Sequence, residues 1–162
     1  MPRVSTRLVG LFFALVLPCL AAAQTLPSYV GQVVYLPIYS HIYHGDLDEQ
    51  GKPIQTLLSV HVSIRNTNIN MPLKLLYARY YDTNGKLLKE FVPNVVVIPP
   101  LGTHELFVPR SDISGGSGAN FLISWSAGAS VNPLLIEALH ADIHPARTLT
   151  FITSGRPVHS LK

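Results

Sequence analysis

Apolar residues in this chain occur in short runs closed by Gly, Pro, Asn or Asp, and no long stretch carries helical spacing. That punctuation constrains the fold more than any other feature, because apolar runs of about four to eight residues between turn formers are strands. The clearest is Thr56 to Asn66, where Leu58, Val60, Val62 and Ile64 alternate with Ser59, His61, Ser63 and Arg65. Successive side chains of a strand point to opposite faces, so this segment has one dry face and one wet face.

The other segments read the same way. Val33 to Tyr39 is a strand with Pro37 inside it, and a residue without an N–H assigns that strand to a sheet edge. Ser40 to Gln55 is a polar connection. Leu73 to Asp82 is a strand with Leu76, Ala78 and Tyr80 inward and Tyr77, Arg79 and Tyr81 outward. Asp82-Thr83-Asn84-Gly85 is a hairpin turn in which Asp82 caps the turn amides and Gly85 takes positive φ. Leu87 to Val92 returns, Pro93-Asn94 either bends that strand or ends it, and Val95 to Ile98 continues apolar. Pro99 to Gly102 turns the chain into Thr103 to Val108, and Ser111 to Gly118 is a flexible connection.

Asn120 to Ser126 then places Phe121, Ile123 and Trp125 on one face. Leu134 to Ile143 fits a helix capped by Asn132 with Pro133 at its first position, or a strand; the surrounding pattern favours strand. Leu149 to Thr153 closes the chain. About seven to nine such strands make an all-β, two-layer antiparallel β-sandwich. It is immunoglobulin-like in architecture only, since the paired cysteines are missing and Trp125 lies late in the chain.

The first residues read differently. Arg3 and Arg7, the apolar stretch Leu8 to Leu17, and Ala21-Ala22-Ala23 before Gln24 have the three parts of a cleavable signal peptide over residues 1–23. Residues 24–162 are then a single domain, exported to the periplasm or secreted. A retained anchor would need about 20 apolar residues, and Leu8 to Ala23 is shorter and holds Pro18. A lipid-anchored form would begin at Cys19, but a small residue is normally found where Pro18 stands. Cleavage removes Cys19, the one cysteine, so the domain has no disulfide or thiolate chemistry. It also removes two arginines, which takes the formal charge from +3 to +1 and withdraws the basic balance that a nucleic-acid partner would require. The domain itself contains no apolar stretch suited to a transmembrane span.

Two connections hold the candidate binding residues. His41, Tyr43, His44 and Asp46 lie together in the first, and His41, His44 and Asp46 offer imidazole and carboxylate ligands to Zn²⁺ or Cu²⁺ if the chain turns tightly there. Glu137, His140 and His144 would form a second ligand set only on a helix. Ser114, Gly115, Gly116, Ser117 and Gly118, followed by Asn120, form the second connection. It lacks the strand before and helix after that a nucleophile elbow needs, and the Lys-Ser/Thr of a phosphate loop, although its amides suit an anion nest. If Lys86 to Ile98 is one strand bent at Pro93, strand counting puts both connections at one end of the sandwich, where they would border a concavity; a full reversal at Pro93-Asn94 would put them at opposite ends. Tyr77, Arg79 and Tyr81 are either a partner-binding stripe or cross-strand packing.

Several stretches taken together carry a resemblance: LPIYSHIYHG (Leu36 to Gly45), SIRNTN (Ser63 to Asn68), YYDTNGKLL (Tyr80 to Leu88), SGGSGANFLISW (Ser114 to Trp125) and NPLLIEA (Asn132 to Ala138). From about Gly31 to Arg156 the chain resembles the bacterial family catalogued as domain of unknown function 3124. The resemblance implies a β-rich segment at Leu134 to Ile143 and brings no catalytic residues. The expectation is an exported cell-envelope binding or assembly module, non-enzymatic and without a cofactor, whose partner is an envelope protein or a small ligand. The alternative is a Zn or Cu binding protein, or a small metal-dependent hydrolase, using the His41 to Asp46 segment.

Overall fold

The computed structural model describes residues 27–161; the signal-peptide reading of residues 1–23 lies outside them. Twelve strands and no helix are present among the described residues. In chain order they are β1 (Tyr29–Ile38), β2 (His41–Leu47), β3 (Pro53–Leu57), β4 (Ser59–Arg65), β5 (Leu73–Tyr81) and β6 (Leu87–Glu90), then β7 (Val96–Ile98), β8 (Thr103–Val108), β9 (Ala119–Val131), β10 (Leu135–His144), β11 (Arg147–Ser154) and β12 (Arg156–Leu161). One antiparallel sheet has the order β12-β1-β9-β5-β6, with β7 also on β5; a second has the order β11-β10-β4-β8; β2 and β3 pair as a separate hairpin. The two larger sheets pack as the layers of a β-sandwich.

The alternation of β4 sets the core. Val60, Val62 and Ile64 have no exposed surface, and neither do Phe121, Ile123 and Trp125 on β9 or Leu36 and Ile38 on β1. Ile136 and Ala138 of β10 join them from the second layer. Leu134 to Ile143 is a strand, paired with β4 on one side and β11 on the other. The count exceeds the expected range for three reasons. The polar connection Ser40 to Gln55 contains a hairpin, the Lys86 to Ile98 strand is interrupted, and Arg156–Leu161 adds a last strand.

Two expectations need correction. Leu76 is not inward: the register of β5 against β9 shifts between Leu75 and Tyr77, so Leu73, Leu75, Ala78 and Tyr80 are the buried residues. A bulge places one extra residue in the strand, which lets Lys74 and Arg79 both face outward although an unbroken alternation would separate them. Nor is β1 an edge strand, since it lies between β12 and β9. Pro37 is tolerated because the β12 pairing ends at Tyr35, leaving Pro37 paired on one side only, with Asn120 of β9.

Other readings hold. β6 and β7 both run antiparallel along β5, as one strand interrupted around Pro93 would. Asp82 Oδ1 accepts from the amides of Asn84 and Lys86, and Gly85 has φ 80°. Between β11 and β12 the chain crosses from one layer to the other at Gly155, whose N–H donates to the Ile136 carbonyl at 2.8 Å. A Cβ at Gly155 would sit 2.6 Å from Val34 Cγ1, so a side chain at this crossing would collide with the core.

Candidate functional site

The histidine segment is strand rather than loop. β2 and β3 are closed by a turn in which Asp48 Oδ1 accepts from the amides of Gln50 and Lys52. Residues three apart on a strand face opposite ways, and His41 and His44 do so. His41 is buried edge-on against Tyr43, with ring centroids 4.8 Å apart. His44 faces the other side and lies 2.9 Å from Thr56 Oγ1 through Nε2. Asp46 is exposed within an irregularity in the hairpin register between His44 and Leu47. The three expected ligands are therefore not brought together, and among the described residues no group of three or more His, Cys, Asp or Glu is placed to hold a metal ion.

The Glu137, His140 and His144 set dissolves for the same reason. His140 points inward from β10, with its ring stacked on Phe151 and edge-on to Tyr39. Its Nε2 accepts the Tyr39 N–H at 3.1 Å. Burial pushes its pKa down to about 4, against weaker opposition from the neighbouring backbone at Ala138 and Phe151. A neutral imidazole held in an aromatic stack acts as a core residue.

The glycine connection does meet the end of β1, as strand counting required. Ser40 N–H donates to the Gly116 carbonyl at 3.0 Å, and Ser40 Oγ lies 3.0 Å from Tyr80 Oη. The connection is also fastened onto the Asp82 to Gly85 turn. Gly115 O accepts from Thr83 N and from Thr83 Oγ1, while Thr83 Oγ1 accepts from Gly118 N at 3.0 Å. The Gly116 amide is taken by the Ile113 carbonyl. Close packing explains the glycines: a Cβ at Gly115 would fall 2.0 Å from Tyr80 Oη. Ser114 is exposed and bonded to Asp112, Ser117 is half-buried, and Asn120 sits on β9 between Pro37 and Tyr81. The two connections touch, but with the amides of Gly116 and Gly118 directed at the protein itself.

The outward faces of the two sheets differ. On the larger sheet Tyr77, Arg79 and Tyr81 share a face as expected, but they are half-buried and Arg79 is already engaged. The Arg79 guanidinium lies over the Tyr77 ring at 4.2 Å and pairs with Glu90 at 3.0 Å. On the smaller sheet an apolar row crosses all four strands. Ile152 pairs with Leu139, Leu139 with His61, and His61 with Phe107. Ile152, Leu139 and Phe107 are 60%, 40% and 58% exposed. Beside the row is a shallow depression of about 190 Å³ bordered by Ser63, Glu105 and Glu137.

A charged cluster at the β10–β11 turn escaped the sequence reading. The Asp142 carboxylate is covered by its partners, with Arg147 Nη2 2.9 Å from Oδ2, and His144 Nε2 and Arg110 Nη2 at 2.9 and 3.3 Å from Oδ1. Burial by itself would raise its pKa. The Arg147 hydrogen bond and the charges of His144, Arg110 and Arg147 outweigh that and hold it below the usual carboxylate value. Asp142, His144 and Arg147 are close enough in sequence to suggest a charged hairpin turn, but Arg110 follows β8 and no local spacing points to it.

These features define an all-β sandwich with a projecting hairpin, an apolar outer row and a buried carboxylate ringed by cations. The chain belongs to the family described as Protein of unknown function (DUF3124), whose model matches residues 31–158. No curated protein matches it. It is similar to a crystal structure of Thermotoga maritima 1070, with 13% identity and a TM-score of 0.45 over 80% of this chain and 96% of that one. No helix among the described residues is long and apolar enough to cross a membrane.

Proposed function

We propose that the chain is an exported binding or assembly module of the cell envelope, non-enzymatic, whose protein partner docks on the outer face of the β11-β10-β4-β8 sheet. The observation that carries this reading is the row Ile152, Leu139, His61 and Phe107. An antiparallel sheet with one face in the core ordinarily turns polar side chains outward on the other. Here three of the four strands of the layer each keep a large apolar side chain exposed in one register, with His61 between Leu139 and Phe107, the pattern of a surface that a partner covers. Their aliphatic and phenyl character favours a protein surface, and Glu105, Glu137 and Arg65 beside the row supply a polar rim of mixed charge. The charged start, apolar middle and alanine triplet of residues 1–23 support export.

Chemical crosslinking in the native envelope tests the docking face. A double substitution, Leu139→Lys with Ile152→Lys, should abolish a discrete crosslinked species that wild type forms, with the melting temperature unchanged. Retention of that species by the folded variant would refute the assignment.

A further inference from the structure

We propose that the cation cluster around Asp142 is a binding site for a small carboxylate ligand, independent of the docking face on the outer row. The charge count is the first reason. One carboxylate faces two guanidiniums that stay charged at all accessible pH values, and His144 besides. Among the described residues Arg110 and Arg147 have no other carboxylate within ion-pairing distance, which leaves at least one positive charge uncompensated. A single cation would suffice to neutralise a structural aspartate.

Geometry is the second reason. Asp142 is fully covered and grips one edge of each guanidinium, while the side chains of Arg147, Arg110 and His144 remain 58%, 47% and 41% exposed. The carboxylate thus orients the arginines and leaves donors of each fork free for a second acceptor, the arrangement that suits a planar two-oxygen anion. Arg147 also lines a cleft of about 290 Å³ with Thr148 and Leu149, opposite Ile42, His44 and Thr56 of the projecting hairpin. The cleft offers apolar walls at Ile42 and Leu149 to an aliphatic body. The planar forks suit a two-oxygen acceptor and the apolar walls an aliphatic body, hence a carboxylate rather than a phosphate. That carboxylate belongs either to a free aliphatic acid or to a peptide C-terminus.

Titration of the isotopically labelled protein, followed by NMR chemical shifts, tests the proposal. The probes are isocaproate for the free acid, N-acetyl-leucine for the peptide terminus, neutral isocaproamide, and inorganic phosphate. Saturable shifts of residues around Arg147 with one or both carboxylates, and none with the amide, are expected; whichever carboxylate binds tighter identifies the source. Arg147→Gln and Arg110→Gln should each weaken binding about tenfold or more, while Leu139→Lys should leave it unchanged. Should Arg147→Gln fail to fold, Arg110→Gln decides, because its guanidinium makes the longer contact at 3.3 Å. The site is refuted if neither carboxylate binds, if the amide binds equally, if phosphate binds tighter, or if folded arginine variants bind like wild type.

Discussion

The imidazole of His140 lies flat on the ring of its cross-strand partner Phe151, with centroids 4.5 Å apart and planes 3° from parallel. Burial holds the imidazole neutral, and its pKa of about 4 lies below the ordinary 6.5. A depressed folded-state pKa means that unfolding takes up a proton. The stabilisation is complete above about pH 6.5 and is lost as the pH falls toward 4. The difference amounts to about 3 kcal/mol. Urea unfolding across that window should show this loss in wild type, and His140→Phe should flatten the profile. Asp142 acts in the same direction but at lower pH, because its depressed pKa stabilises the fold until the carboxylate is protonated.

Trp125 has no exposed surface and shares its face with Phe121 and Ile123. Trp125→Ala should cost about 3–5 kcal/mol. Equilibrium unfolding that registered a loss under about 1 kcal/mol would contradict the packing of β9.

Gly115 and Tyr80 should be coupled. A methyl group at Gly115 meets Tyr80 Oη at 2.0 Å, so Gly115→Ala should destabilise by about 1–3 kcal/mol through overpacking. Tyr80→Phe removes that oxygen together with its bond to Ser40 and should cost about 1 kcal/mol alone. In the double variant part of the alanine penalty should vanish. A double-mutant cycle measures this, and strict additivity would mean that the connection relaxes elsewhere.

The export proposal predicts that protein from the envelope fraction begins at Gln24, free or cyclised to pyroglutamate. Intact mass decides it. A mass that retains residues 1–23, or one carrying lipid on Cys19, would overturn the assignment.

Legibility in the sequence followed the physical source of each signal. β4 and β9 were readable because unbroken alternation reports directly on which side is dry. Leu76 was misplaced because a bulge changes the phase of alternation without changing composition. The β2–β3 hairpin was hidden by its polar residues, since Ile54 and Leu47 stay exposed and no dry face forms. Pro37 suggested an edge because a missing N–H shows which bond is impossible, not where the neighbouring strand stops. The meeting of the two connections was legible from strand parity, which depends on topology alone. The Asp142 cluster was not, because Arg110 reaches it from a distant strand end and that contact exists only after folding.

The central position of β1 has a consequence for the order in which the molecule can be made. Its neighbours are Ala119–Val131 and Arg156–Leu161, so β1 has no ladder partner until the first of these segments has been made, and its second partner arrives later still. Such wiring gives a high contact order, with loop closure required before any pairing rewards it. A nascent chain therefore cannot complete its larger layer before residues 156–161 have been made. The larger layer is complete only once Arg156–Leu161 is in place beside β1.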